Sequence, residues 1–592
     1  MNASAAAPTW DLDSIYPGGI RGEAWRAERD LLPAAVAALR ARSAALGTLD
    51  DHDGWQAFLK ESAEVELALR QLNHFAWCEA SAQAGDLEVT RAIGDLEALS
   101  AQIDQAWTAP EAALGAASPE AWAALLESPE GLAQAAGLRW RRAAAQRRPA
   151  PAVQAAVAAL SDAALHAWGR RYNRIASAVV VQLGDERLSH GQAFNRLQSP
   201  SAEVRRAAQA GIDAGWRAVA ADCAEALDNI TGARAAIAGL SAADPLDAAL
   251  GNNRLEQATL EALLAACAAA RPTLWRALEM RARLLGVSRI DWSDLSAPVG
   301  AADLSVPWAE AEATVRRCFA EQSAEMGTFA ARAFDAGWVE AEDRGGKRHG
   351  AFCIGVPRQR ESRVFMTYSG GFSNLVTLAH ELGHAYHNDV LMGLPPAARS
   401  LPHTLAETAS TFAEAVVRGQ AIEAAVGTEA ELGLLDQELQ SALVMMINIP
   451  MRFELERALF EMRAEGSLSA AQLCARTEAL QRAAYGPGLG EAHPMFWAEK
   501  LHFYMTRAPY YNFPYAFGYF FSTLIHAQAA AEGPAFAPRW PALLADTGRC
   551  TVEEVAARHL GLDLRDPAAW MPVVRRVEAL GERYAALVEA RA

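Results

Sequence analysis

The feature that most constrains the fold is the helical periodicity of the first half of the chain. Between about residues 25 and 285, apolar residues recur every three or four positions, as in LPAAVAALRARSAAL and DLEVTRAIGDLEALSAQI. This spacing places them on one face of an amphipathic helix. Hydrophobic residues make up 52% of the chain, with many alanines and few clusters of β-branched residues, which also favours helix over sheet. The sequence therefore predicts a mainly α protein with a large multi-helix body.

One region departs from this pattern and is typical of a sheet. It reads HGAFCIGVPRQRESRVFMTYSGG and covers residues 349–371. Short β-prone runs flank the turn-like PRQRES, and two glycines end the second run. We therefore expect one small β-sheet directly before the histidine-rich stretch that follows.

Charge, cysteines and termini exclude several classes of protein. A net charge of −17 repels phosphate backbones, and no basic stripe interleaved with aromatic residues offsets it, so we do not expect nucleic acid as a partner. The seven cysteines are scattered without a CxxC spacing, as in a reduced cytosolic chain. The N-terminus lacks a signal-peptide pattern, and no run of about 18 apolar residues occurs. We predict a cytoplasmic protein without a membrane partner, and the sequence leaves the oligomeric state open.

The stretch LAHELGHAYH, residues 378–387, contains an HExxH motif. Histidines at positions i and i+4 lie one above the other on a helix, so His380 and His384 can both reach one zinc ion. Glu381 lies to the side of the metal, where it can act as general base on a zinc-activated water. His387 is seven positions from His380, about 10 Å along the axis, so it cannot complete the same tetrahedron. We expect a supporting role or an unrelated polar contact for His387.

A third ligand must come from elsewhere, and the next predicted helix offers two candidates. In LPHTLAETASTFAEAVVRG, residues 401–419, Glu407 and Glu414 are seven positions apart and share a face. An alternative role for Glu407 is structural, because Thr404 and Glu407 have the spacing of a capping box, in which the glutamate satisfies a backbone donor. The spacing leaves the two roles of Glu407 open, with Glu414 as the second candidate ligand.

The sequence resembles the oligoendopeptidase F branch of the thimet oligopeptidase family of zinc metallopeptidases, which are gluzincins. The matching segments occur in the family's order and spread over most of the chain. They are WDLDSIYPG (residues 10–18), GKRHGAF (346–352), TLAHELGHAYH (377–387), LAETASTFAE (405–414) and HFYMTRAPYYNFPYAFGY (502–519).

The resemblance implies one Zn²⁺ ion per chain, with Glu407 as the third ligand beside His380 and His384. It also implies an N-terminal helical domain over residues 1–200 and a zinc metallopeptidase catalytic domain over residues 201–592. Such proteins have a two-lobed, mainly helical body that encloses a substrate channel and admits short peptides.

The resemblance further implies a histidine and tyrosines that bind the scissile carbonyl and stabilise its oxyanion. His502 matches the histidine, and Tyr511 and Tyr515 are the best matches to the tyrosines. Tyr504 and Tyr510 are competing candidates, because the spacing in this segment differs between branches of the family.

Together these features predict a zinc metalloendopeptidase that hydrolyses internal bonds of short oligopeptides. Pairing of an extended substrate with a strand edge at residues 362–369 would give broad side-chain tolerance. One alternative is the same chemistry as a carboxypeptidase or peptidyl-dipeptidase. A second is a non-catalytic helical scaffold that binds peptides, which the presence of ligands, base and oxyanion donors disfavours. The sequence does not indicate the cleavage-site preference.

Overall fold

The computed structural model describes residues 7–149, 151–240, 243–299 and 305–591. Helices dominate these ranges and strands form two small sheets, which confirms the predicted mainly α class. The chain divides into two compact units, each assembled from separate segments. Unit 1 comprises Met1–Arg148, Asp303–Gln420 and Ile525–Gly561, and unit 2 comprises Pro149–Ala302, Ala421–Leu524 and Leu562–Ala592. The domain boundary at residue 200, which the family resemblance implies, stays a prediction.

Most of the α-helices follow one another with short connections. In chain order they are Glu23–Ala45, His52–Ala82, Leu87–Ala106, Thr108–Ala116, Pro119–Glu127, Pro129–Ala133, Ala135–Arg147, Pro151–Ser161, Ala167–Ala178, His190–Asn195, Ala202–Ala218, Ala220–Gly239, Pro245–Asn252, Gln257–Ala269, Arg271–Leu285, Trp308–Gln322, Ala324–Asp335, Phe372–Leu391, His403–Ala406, Thr408–Ala424, Ala430–Leu443, Ile449–Glu465, Ala470–Tyr485, Phe496–Glu499, Phe513–Glu532, Arg539–Asp546, Val552–Leu560 and Met571–Glu589. Among the described residues, no helix is both long and apolar enough to cross a membrane.

The strands form one hairpin and one three-stranded sheet. They are β1 (Val180–Leu183), β2 (Glu186–Ser189), β3 (Val339–Glu340), β4 (Phe352–Val356) and β5 (Glu361–Phe365). The antiparallel hairpin of β1 and β2 lies in a region that we predicted to be a succession of helices, so that prediction was wrong there. Consecutive valines favour strand, and Gly184 adopts the left-handed φ of +58° that the tight turn requires.

The three-stranded sheet lies at the predicted place in the chain. The strand that we expected at its edge, β5, lies instead at its centre. Its strand order is β3-β5-β4, with β4 antiparallel and β3 parallel to β5. Strand β5 overlaps the first part of the run at residues 362–369. It is the central strand and is paired on both sides. The expectation that this run offers a free edge to a substrate was wrong at Val364 and Phe365, because β3 pairs with them on the side opposite β4. Residues 366–369 lie outside the strand.

The helix Phe372–Leu391, called here the histidine helix, follows the sheet as predicted. Its N-cap residue is Gly371, and the Oδ1 atom of Asn374, the third residue of the helix, accepts hydrogen bonds from the backbone N–H groups of Ser369 and Gly371. Its apolar stripe is buried in unit 1, and consists of Leu375, Leu378, Leu382 and Ala385. Burial of this stripe fixes the rotation of the helix and therefore the direction of its polar face.

Candidate metal centre

The histidine helix presents both predicted ligand histidines on one face. The ring centroids of His380 and His384 are 4.7 Å apart. Between them, Gly383 packs against the helix Thr408–Ala424, and a Cβ atom at this position would lie 2.6 Å from the carbonyl oxygen of Ala409. Only glycine allows two backbones to approach so closely. This contact brings the histidines next to the segment that carries the predicted third ligand.

Glu407 lies opposite both histidines. Its Oε2 atom is 3.4 Å from Nε2 of His380 and 3.4 Å from Nε2 of His384. Among the described residues, these three form a group that could hold a metal ion, with donor atoms within 4.8 Å of one another. Thr404 lies within the short helix His403–Ala406 and not before it, so it does not occupy the N-cap position that a capping box requires.

Glu414, the second candidate ligand, contacts the other ring nitrogen of His380. Its Oε1 atom lies 2.6 Å from Nδ1 of the imidazole, and Arg418 lies 3.4 Å from its Oε2 atom. A carboxylate at this nitrogen orients the ring and leaves Nε2 for a metal. Burial alone would lower the pKa of His380, but the hydrogen bond and charge of Glu414 raise it to about 9. Glu414 therefore lies behind a candidate ligand and outside the three-residue group.

The pKa values of the two carboxylates beside the histidines are shifted in opposite directions. Burial opposes the charge on Glu407, but His384, His380 and Ser410 bring its pKa down to about 2, so it is ionised at neutral pH. Burial raises the pKa of Glu381, which is only 5% exposed. The Oε2 atom of Glu381 is buried and has no hydrogen-bond partner among the described residues. This combination suits a group that exchanges a proton.

His387 lies apart from this group, as the helix geometry predicted. Its ring is buried, and its Nε2 atom lies 2.8 Å from the hydroxyl of Thr547. Burial lowers the pKa of His387 to about 3, so the imidazole is neutral. We expected either a supporting role or a polar contact for His387, and the contact with Thr547 is such a polar contact.

In unit 2, the structure places His502, Tyr511 and Tyr515 together. The His502 ring centroid lies 5.2 Å from that of Tyr511 and 6.3 Å from that of Tyr515, and the tyrosine rings are 5.8 Å apart. All three side chains are partly exposed. They therefore form one polar aromatic cluster that a ligand can reach.

The competing tyrosines are buried elsewhere in unit 2. Tyr504 is 2% exposed and stacks on Tyr172 with 3.5 Å between centroids. Tyr510 is 3% exposed and packs against Phe453 and Phe460. Their burial favours Tyr511 and Tyr515 as the tyrosines of the exposed cluster.

Sequence reasoning missed two neighbours of His502. The Oδ1 atom of Asn512 lies 2.7 Å from Nδ1 of His502, and Nη1 of Arg452 lies 3.3 Å from the same oxygen. Because Asn512 Oδ1 can only accept, His502 Nδ1 donates to it, and this fixes the orientation of the ring. Asn512 belongs to the quoted aromatic segment, but Arg452 comes from a distant helix that carried no signal.

Comparison with known proteins gives a family match over the segment that contains His380, His384 and Glu407. Residues 322–554 match peptidase family M3. Oligoendopeptidase F, chromosomal, of Lactococcus lactis subsp. cremoris is 26% identical over 360 residues, covering 60% of this chain and 59% of that protein. Oligopeptidase PepF of Bacillus subtilis (strain 168) is 23% identical over 389 residues, covering 65% and 57%. The matches thus span under two thirds of the length of these relatives.

Solved structures share the fold over nearly the whole chain. Oligoendopeptidase-F from Enterococcus faecium superposes with a TM-score of 0.72 at 18% identity, covering 96% of this chain and 99% of that one. The crystal structure of a protein from Chlamydophila abortus superposes with a TM-score of 0.82 at 18% identity, covering 97% of this chain and 98% of that one. The predicted resemblance is confirmed, since the chain has a family M3 match and homologues named oligoendopeptidase F.

Proposed function

We propose that this chain is a zinc-dependent endopeptidase that cleaves internal bonds of short oligopeptides. Its residues 322–554 match peptidase family M3. The observation that carries the proposal is the group formed by His380, His384 and Glu407, with the buried carboxyl of Glu381 beside it. The names of its homologues support peptide substrates. Activity and substrate are proposed for this chain from those relatives.

The donor set fits zinc. Zinc takes imidazole nitrogen and carboxylate oxygen at about 2.0–2.2 Å in a tetrahedron, which separates any two ligand atoms by about 3.4 Å. The distances from Glu407 Oε2 to the two histidine nitrogens are both 3.4 Å. His380, His384 and Glu407 would therefore hold the ion and leave a fourth position open. When bound, zinc supplies Lewis-acid activation of a water molecule and of the scissile carbonyl.

Glu381 is the proposed general base and acid. Its buried carboxylate accepts a proton from the attacking water and passes it to the nitrogen of the leaving amine, so no covalent enzyme intermediate is needed. The raised pKa of Glu381 brings its proton affinity closer to that needed at neutral pH. Glu414 holds His380 in the tautomer that presents Nε2.

We assign His502, Tyr511 and Tyr515 to binding the scissile carbonyl. The assignment rests on the resemblance and is supported by their mutual packing and partial exposure in unit 2. Tyrosine hydroxyls donate hydrogen bonds to an oxygen that gains charge during attack, and loss of one such donor costs about 10²–10³ in kcat. Asn512 and Arg452 keep His502 in place for this role.

The deciding experiment uses purified full-length protein and peptides of graded length, each with free and with blocked ends. Products are read by mass spectrometry with and without a zinc chelator, and zinc is added back after chelation. We expect internal cleavage of both free and blocked peptides, loss of cleavage with chelator, and recovery with zinc. Cleavage that requires a free terminus would instead support an exopeptidase, and chelator-resistant cleavage would contradict the zinc assignment.

A further inference from the structure

The segment that carries Tyr511 has an unusual backbone conformation. This segment, residues 505–512, is called here the tyrosine loop, and it joins the 3-10 helix Leu501–Tyr504 to the helix Phe513–Glu532. Tyr510 has a φ of +52°. Bulky side chains rarely adopt this left-handed conformation, so the surrounding structure must hold it.

A buried ion pair ties the tyrosine loop at two points. The backbone N–H of Tyr510 donates to Oε1 of Glu456 at 2.8 Å. Arg234 lies 3.5 Å from the same carboxylate oxygen and also donates to the carbonyl oxygen of Met505, at the start of the loop. Glu456 is 2% exposed and Arg234 is 8% exposed.

Two aromatic rings hold the side chain of Tyr510 in the interior of unit 2. The ring centroids of Phe453 and Phe460 lie 5.3 Å and 5.7 Å from that of Tyr510. The next residue, Tyr511, instead packs on His502 and is partly exposed. The left-handed turn at Tyr510 thus separates one buried and one exposed tyrosine at adjacent positions.

Stability alone does not account for Glu456. Its Oε2 atom is buried without a hydrogen-bond partner among the described residues, and an unpartnered buried oxygen is unfavourable. Buried ion pairs are often no more stabilising than apolar residues of the same size. The carboxylate does, however, accept the one N–H whose position sets the left-handed turn.

We propose that Tyr510 and Glu456 are positioning residues, which hold the turn that places Tyr511 against His502. This inference rests on the proposed function, in which Tyr511 donates to the oxyanion. Both residues are almost fully buried, so we assign neither of them to contact with substrate. Their effect on turnover passes through the orientation of Tyr511.

The test compares three substitutions at one position. Tyr510→Ala removes the ring and is strained at positive φ, Tyr510→Gly removes the ring but accepts positive φ, and Tyr510→Phe removes only the hydroxyl. We expect kcat to fall about 10²-fold in Tyr510→Ala, because small displacements of catalytic groups cost this much. Tyr510→Gly should recover part of this loss, and Tyr510→Phe should match wild type. KM and zinc content should change little, whereas the melting temperature should fall in both the alanine and the glycine variant, because each loses a buried ring.

A double-mutant cycle separates positioning from a general effect on folding. In a Tyr511→Phe background, Tyr510→Ala should lower kcat by no more than about twofold, because the group that it positions is already gone. Equal kcat in the alanine and glycine variants, or additive losses in the double variant, would overturn the inference. Full activity of Tyr511→Phe would overturn it as well, while zinc-dependent cleavage by the wild type would still support the proposed function.

Crystal structures of the variants provide a test that does not depend on activity. In Tyr510→Ala the ring of Tyr511 should have moved away from His502, whereas in Tyr510→Phe it should stay. An unmoved Tyr511 in the alanine variant would overturn the inference. If Tyr510→Ala does not fold, Glu456→Met and Glu456→Gln repeat the comparison, because only glutamine keeps an acceptor for the backbone N–H of residue 510. Tyr511 should then move in the methionine variant alone, and equal positions in both would contradict the proposal.

Discussion

At the residue scale, the side chains around His380 have separate chemical tasks. Its Nε2 atom faces Glu407 at 3.4 Å, while its Nδ1 atom faces Glu414 at 2.6 Å. The two glutamates were rival ligand candidates from sequence, and the structure places them on opposite nitrogens of one ring. Glu381 occupies neither position, and its buried carboxyl is the group that we propose for proton transfer.

The role of Glu381 can be tested by Glu381→Gln, which keeps the size of the side chain and removes its basicity. We expect zinc to stay bound, because Glu381 is outside the three-residue group. Loss of a general base should lower kcat by about 10²–10⁴. Metal analysis and peptide hydrolysis on the same sample check both points. Near-normal turnover would contradict the mechanism.

The roles of the two other glutamates predict different effects on metal affinity. Glu407→Ala removes a proposed ligand and should abolish stoichiometric zinc binding. Glu414→Ala removes the partner of His380 and should weaken zinc binding by about 10–100-fold, while Glu414→Gln keeps an acceptor and should lose less. Titration with a competing chelator measures all three affinities. Unchanged metal content in Glu407→Ala would return this residue to a structural role.

At the scale of elements, the metal group depends on how closely two helices approach. The histidine helix and the helix Thr408–Ala424 meet at Gly383, where an added Cβ atom would lie 2.6 Å from the carbonyl oxygen of Ala409. The motif spacing sets which face of one helix carries histidines, but the contact at Gly383 sets how far that face lies from Glu407. A small change there should therefore act on the metal group.

Gly383→Ala tests this dependence. The added methyl group would meet the backbone of Ala409 and separate the helices, so we expect lower zinc affinity and a lower melting temperature. Gly419→Ala is the matched control, because Gly419 lies in the neighbouring helix with no atom within 4 Å of an added Cβ. That control should be neutral or slightly stabilising, since alanine favours helix over glycine by about 1 kcal/mol. Equal zinc affinity in both variants would contradict the close-packing argument.

At the scale of the whole molecule, buried charges connect segments that are distant in the sequence, as a cluster in unit 2 shows. In unit 2, His493 is fully buried with Asp213 2.6 Å from Nδ1 and Glu499 2.8 Å from Nε2. Burial alone would lower the pKa of His493, but the two carboxylates raise it to about 9. The helix Ala202–Ala218 and the helix Phe496–Glu499 are thereby joined through one imidazolium.

This arrangement predicts a pH-dependent stability. Because the folded-state pKa of His493 is raised above the unfolded value of about 6.5, its contribution is complete below pH 6.5 and is lost as pH rises to about 9. His493→Gln should therefore lower the free energy of unfolding by about 3 kcal/mol at pH 6 and by less at pH 9. Denaturant unfolding of both proteins across this range gives the comparison. A difference that is independent of pH would contradict the assignment.

What the sequence determined by itself was local in origin. Helical periodicity predicted the mainly α class, and the HExxH spacing predicted which face carries His380 and His384, since both depend on 3.6 residues per turn. The same geometry excluded His387. These predictions needed no knowledge of how distant segments pack.

Only the tertiary structure decided which groups meet across long stretches of chain. It placed Glu407 against both histidines, made β5 a central strand, and buried Tyr510 while leaving Tyr511 partly exposed. The partners of the tyrosine loop, Glu456 and Arg234, come from separate helices that no local pattern connects to it. The physical reason is that local spacing fixes directions along one element, whereas distances between elements depend on packing of the whole unit.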